Sequence, residues 1–148
     1  MIEGLLIGLS TVLTLHNLLF VAAGCLTGMM IGLLPGLGPI SAIALMIPIS
    51  YNLDPASGMI LLAGVYYGAI FGGSTSAILI NAPGVAGTVA TAFDGYPLAQ
   101  QGHAGKALAV AAYASFFGGT LGVILLMFLV PTLSSLSLSF QSAEYTLM

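Results

Sequence analysis

Residues 62–84 read LAGVYYGAIFGGSTSAILINAPG. The run carries no charge. Its glycines at 64, 68 and 72 recur every fourth residue, the spacing that lines one helix face. Three hydroxyls, Ser74, Thr75 and Ser76, follow a glycine pair, and the run closes on Asn81, Pro83 and Gly84. A helix in lipid needs about 20 apolar residues, and small side chains let its backbone approach a neighbour. The stretch therefore reads as a membrane segment with a packing face, a polar spot and a break.

The rest of the chain has the same character. It is 148 residues long, with 59% hydrophobic and 3% charged residues. Soluble domains carry about 25% charged residues, so a soluble globular fold is excluded. The charged residues are Lys106, Glu3, Asp54, Asp94 and Glu144. One Lys cannot neutralise a phosphate backbone, which excludes a nucleic-acid binder. The mean hydropathy of +1.15 excludes disorder. The lone Cys25 rules out an internal disulfide. The run Ala22-Ala23-Gly24-Cys25 lacks the basic start of a lipoprotein signal, since Met1-Ile2-Glu3-Gly4 is acidic. The class that remains is an all-α integral membrane protein within a lipid bilayer.

Long uncharged stretches predict spans at Leu18 to Leu34, Ile40 to about Leu53, Ala56 to Ile80, and Ala107 to Leu133. Residues 2–14 form a weaker apolar segment. Residues 32–39, GLLPGLGP, interrupt the pattern, and a second interruption is expected between Gly72-Gly73 and Asn81-Ala82-Pro83-Gly84. Pro35 and Pro39 lack an N–H and disfavour helix before them. Gly36 and Gly38 open backbone angles closed to other residues. After Pro39 only about 14 apolar residues precede Asp54, short for a full crossing. The fold expected is a glycine-rich transmembrane helix bundle with broken or re-entrant helices, plain loops being the other reading. Such interruptions build binding sites in many transporters.

Three stripes of small residues stand out: Gly24, Gly28, Gly32 and Gly36; Gly64, Gly68 and Gly72; Gly118 and Gly122. They fit static close packing or a sliding surface. A helix beginning near Ser74 would aim free N–H groups and the Ser74 and Thr75 hydroxyls at an anion. The competing reading has these hydroxyls bonding back to their own helix. Asn81 and the carbonyls before Pro83 are candidate Na⁺ ligands, with a simple C-terminal turn as the alternative. Asp54-Pro55 and Asp94-Gly95-Tyr96-Pro97 read as turns, the latter opening a polar stretch to Lys106 that the positive-inside rule assigns to the cytoplasm. No His or carboxylate is spaced to orient Ser74, and metalloprotease and phosphate-loop motifs are absent, so the chain does not read as an enzyme.

Residues 32–39, residues 62–84 and Thr91-Ala-Phe-Asp-Gly-Tyr-Pro97 occur in an order that resembles the large membrane subunit, TctA type, of the tripartite tricarboxylate transporters. The similarity runs through Ser115-Phe116 to the closing Ala143-Glu144-Tyr145. The resemblance implies secondary, ion-gradient-driven uptake of citrate or other tri- and dicarboxylates across the bacterial inner membrane, coupled to Na⁺ or H⁺. It implies as partners a small membrane subunit (TctB type) and a periplasmic solute-binding protein (TctC type). The chain would correspond to the N-terminal part of a longer permease, residues 1–148 being a fragment of that domain. The implied pathway residues are Asn17, Pro35, Gly36, Gly38, Gly72, Gly73, Ser74, Thr75, Asn81, Pro83 and Gly84. No cofactor or bound metal is implied beyond the coupling ion near Asn81. Three positions depart from the family pattern: Leu15 and Lys106 stand where Pro is expected, and Val85 stands where an acidic residue is common. A non-transporting scaffold or degenerate permease fragment is the alternative, recognisable by tolerance of apolar substitutions at Ser74, Thr75 and Asn81.

Overall fold

The computed structural model describes residues 2–137; the closing Ala143-Glu144-Tyr145 lies outside them. Every regular element among the described residues is helical. α1 spans Ile2–Val12, α2 Leu15–Gly32, α3 Pro39–Ser50 and α4 Pro55–Ile80. A 3₁₀ turn, Ala86–Thr88, leads into α5, Val89–Leu98. A π turn, Ala99–His103, leads into α6, Ala104–Ser137. Leu15–Gly32, Pro55–Ile80 and the run Ala86–Val130 are long and apolar enough to cross a membrane. Glu3–Val12 and Pro39–Ser50 are shorter apolar helices. All four expected spans are helices, with α3 the expected short one.

The helix ends follow from the residues placed there. Thr14 caps α2, its hydroxyl accepting from Asn17 N at 3.4 Å. Asp54 caps α4, its carboxylate accepting from Ser57 N at 3.0 Å, with Pro55 in the first turn where no N–H is needed. The expected Asp54-Pro55 turn is thus a helix start. α4 ends on Asn81, whose φ of 55 is left-handed, a conformation Asn tolerates better than most residues.

Residues 1–111 form one compact unit, built on α2 and α4. A Cβ on Gly24, Gly28 or Gly32 would strike the carbonyl of Leu61, Val65 or Ala69. A Cβ on Gly64, Gly68 or Gly72 would strike the carbonyl of Val21, Cys25 or Met29. The paired numbers rise together, so α2 and α4 run parallel, backbone on backbone. α3 connects them by running back. Gly58 lies against the Ser50 carbonyl, while Ala42 packs with Val65 and Ala69 further along α4. Ile31, Ile43 and Met46 flank that core.

Two expectations are corrected. Gly72-Gly73 is not a break: α4 runs through it without interruption to Ile80. Asp94-Gly95-Tyr96-Pro97 is not a turn but part of α5. Gly95 is there for packing, since a Cβ would lie 2.7 Å from Ile78 Cγ1. The chain bends instead at the π turn, where Gly102 has φ 81.

The second unit, residues 112–148, is represented by helix α6 from Ala112 onward. Nearly all of its described side chains up to Val130 are exposed.

Candidate functional site

The two Pro-Gly interruptions meet. α2 ends at Gly32, and Leu34–Leu37 makes a turn closed by Leu37 N donating to the Leu34 carbonyl at 3.1 Å. Pro35 presets its second position and Gly36, with φ 86, takes the third, as a type II turn requires. Both are exposed. The turn delivers Gly38, the N-cap of α3.

The second interruption arrives from the other direction. After Asn81 the chain turns back, so that Gly84 reaches Gly73 and the end of α2. A Cβ on Gly84 would lie 3.1 Å from the Gly32 carbonyl oxygen and 3.2 Å from Gly73 Cα. Gly73 in turn faces Thr88 Cγ2, 3.7 Å from where its own Cβ would be. From there α5 climbs beside α4, as the contact of Gly95 with Ile78 requires. The chain between Asn81 and Leu98 is therefore re-entrant. Gly73 lies about 10 Å, seven residues at 1.5 Å, before the end of α4. The junction is thus within the depth of that helix.

The starts of the two half-helices are neighbours. A Cβ on Gly38 would lie 2.9 Å from Val85 Cγ1 and 3.9 Å from the Gly84 carbonyl oxygen. Gly38 caps α3, Val85 caps the 3₁₀ turn that opens α5, and neither gives a side-chain cap bond. The first helical bonds run from Ala42 N to the Gly38 carbonyl and from Thr88 N to the Val85 carbonyl. The N–H groups of Ile40, Ser41, Ala86 and Gly87 precede those bonds and have no intrahelical acceptor. Pro39 has none to offer. Two positive helix ends thus gather at one junction, beside the negative end of α2.

The hydroxyls behave differently from the sequence expectation. Ser74 is mid-helix, so it starts no helix and brings no free N–H. Its hydroxyl donates to the Ile70 carbonyl at 3.2 Å, and Thr75 donates to Phe71 at 2.9 Å. Ser76 donates to Gly73 at 3.0 Å. Each buried hydroxyl has spent its one proton and keeps only acceptor capacity. Gly72 is a packing residue against Met29. Asn81 is exposed at the end of α4, its N–H bonded to the Ser76 carbonyl. Pro83 lies in the returning strand of chain, half-buried.

Asn17 is not part of the junction. It lies at the start of α2, about 22 Å along that helix from Gly32. There its Oδ1 accepts from Ser57 Oγ at 2.6 Å and its Nδ2 donates to the Thr11 carbonyl at 2.8 Å. Among the described residues no group of three or more His, Cys, Asp or Glu gathers to hold a metal ion. Sequence reasoning expected a helix from Ile40, one residue from the observed start of α3 at Pro39, but took neither Gly38–Ser41 nor Val85–Thr88 as a place of free N–H groups; Pro39 in a first-turn position was the available signal for the first.

A sequence profile described as "Tripartite tricarboxylate transporter TctA family" matches residues 18–148. The chain belongs to the tripartite tricarboxylate transporter TctA family. It is also 46% identical over 145 residues to an Agrobacterium vitis protein described as "Uncharacterized 52.8 kDa protein in TAR-I ttuC' 3'region". That alignment covers 98% of this chain and 29% of the relative, so the chain spans under a third of that protein's length. No solved structure matches. In this TctA-family chain both broken segments and the two helices between them, α3 and α4, lie inside the matched region. Family membership and the apolar helices identify a multi-pass membrane protein of a transporter family.

Proposed function

We propose that the chain is the N-terminal part of a permease that takes up tri- or dicarboxylates, citrate among them, across the bacterial inner membrane. The carrying observation is the meeting of two half-helix starts, at Gly38 and Val85, whose cap residues offer no side-chain acceptor to the first-turn N–H groups. A substrate carboxylate sits at this junction, bound by the N–H groups of Ile40, Ser41, Ala86 and Gly87. The arrangement suits an anion in a chain with a single Lys, because backbone dipoles then carry the positive charge. Gly84 and Gly73 let the returning chain pack directly on α4 and on the end of α2.

The coupling cation, Na⁺ or H⁺, uses the opposite polarity. At the end of α2 the Met29 and Ile31 carbonyls accept from Leu33 and Leu34 N, which leaves the Gly32 carbonyl beside Gly84 and the acceptor-only Ser74 and Thr75 oxygens as hard oxygen ligands for Na⁺. This moves the ion from the exposed Asn81 to the junction. A periplasmic TctC-type protein delivers substrate and a TctB-type subunit completes the complex, as in tripartite transporters generally.

Gly38→Asp tests this reading against Gly38→Asn in the intact complex. Gly38 has φ −79 and ψ −179, open to any residue, and the atom its side chain would meet is a movable Val85 methyl. Asp supplies its own carboxylate to the donors, and Asn has the same shape without the charge. The expected result is at least a tenfold higher KM for carboxylate uptake in the Asp variant than in the Asn variant. Equal KM values would mean that no substrate anion visits this junction.

A further inference from the structure

The α2–α4 pair has a regularity beyond its glycines. The N-caps Thr14 and Asp54, the bonded pair Asn17 and Ser57, and the glycine pairs 24/64, 28/68 and 32/72 are all 40 residues apart. The contacts are reciprocal too. Gly28 meets the Val65 carbonyl while Gly68 meets the Cys25 carbonyl, and the same exchange holds one turn above and one turn below. Reciprocal contacts between parallel helices are the mark of a two-fold axis along them, as in an isologous dimer. Each long helix is followed by a Pro-Gly break and by a short helix with a proline near its C-terminal end, Pro48 in α3 and Pro97 in α5.

We infer that α2 and α4 are matching halves of an internal repeat and travel through the transport cycle as one rigid body. All motion then falls to the half-helices α3 and α5 at the junction. Three features support this. Six glycine positions put backbone against backbone, so one helix cannot slide without driving a carbonyl into a neighbouring turn. Asn17 and Ser57 close a buried hydrogen bond at that same register, and a slip of either helix strands both groups away from water. Asn17 also holds the Thr11 carbonyl, which ties the end of α1 to the pair. Asn17 is on this account a register pin, not a transport ligand.

The inference rests on the permease reading. Its test is an Asn17→Cys, Ser57→Cys double variant of the full-length permease in its complex, with Cys25→Ser and any other cysteines removed. A disulfide should form readily and uptake of labelled citrate should agree within twofold between the oxidised and reduced protein. A Gly38→Cys, Val85→Cys pair is the contrasting lock, and its oxidation should cut uptake at least tenfold, reversibly. Failure of residues 17 and 57 to cross-link, or a tenfold loss of uptake on cross-linking them, overturns the inference. Spin labels at the exposed positions Leu15 and Met59 give a readout that needs no uptake. Their distance distribution should stay superimposable across Na⁺, pH and carboxylate conditions, and a shift overturns the rigid body. A reduced protein that takes up nothing would count against the permease reading alone, with the labels still deciding this one.

Discussion

In α2 and α4 every glycine of the stripe faces a partner's backbone, so closely that a methyl group has no place. In α6, Gly118 and Gly122 repeat the same four-residue spacing and have nothing within 4 Å among the described residues. The sequence pattern is the same; the surroundings are opposite. Spacing shows that a helix offers a smooth face, and only a second helix with a matching face turns that into contact. The matching face here lies 40 residues away in the same chain.

The largest predicted effect tests this contrast directly. Gly28→Ala and Gly68→Ala should each destabilise the protein by about 1–3 kcal/mol, the usual range for overpacking a dense interior. Gly118→Ala should be neutral or stabilise by up to about 1 kcal/mol, because Ala is the better helix former. Thermal unfolding in detergent, followed by loss of the monodisperse peak, reads both. Equal damage at Gly118 would mean that the α6 stripe is covered in the complete protein, and the contrast would then concern timing of assembly and not exposure.

A smaller effect is expected at Asn81, where the backbone is left-handed but the surroundings are open. Asn81→Gly should leave stability within about 0.5 kcal/mol, as an exposed change that keeps the conformation accessible. Asn81→Ala should cost about 1–2 kcal/mol, the strain of an ordinary residue in that region. The pair also separates conformation from ligation. Loss of uptake in a stable Asn81→Gly variant would return the side-chain amide to the transport pathway, and with it a cation near Asn81.

Much of this architecture can be read before any coordinates. Charge-free lengths give α2, α3, α4 and α6, and Pro35, Pro39 and Pro83 give the interruptions, because lipid makes both signals stark. What cannot be read is what each small or polar residue faces. Ser74 and Thr75 would mark a helix start in water, yet in a buried helix they satisfy themselves on Ile70 and Phe71 and the helix continues. Gly95 beside Asp94 has the composition of a turn, yet it is small because Ile78 needs the room. Asn17 stood out only through the family resemblance, as a pathway residue, and its partner, Ser57, is 40 residues away in the sequence. The candidate site suffered most from this, since its donors are backbone groups that no side chain announces.

The smallest effect is at the capped start of the interlocked pair. Hydrogen bonding by Ser57 holds the Asp54 carboxyl below the ordinary carboxylate range, the bond being the one from Ser57 N, because the Ser57 hydroxyl donates to Asn17 Oδ1. A group whose folded pKa is depressed stabilises the fold fully above its unfolded value, about 3.9, and loses that contribution as pH falls through the folded value. Asp54 should therefore contribute a constant amount from pH 7 down to about 5 and progressively less below about 4. Asp54→Asn keeps a capping oxygen that cannot titrate in this range. The difference in Tm between wild type and Asp54→Asn should be flat from pH 7 to 5 and shrink only in the acid range. A difference that closes between pH 7 and 5 would mean that the Asp54 carboxylate does not govern this end of the pair. Because the cap is exposed, the whole change should be smaller than that from a single methyl group at Gly28, where solvent and side chains have no slack to offer.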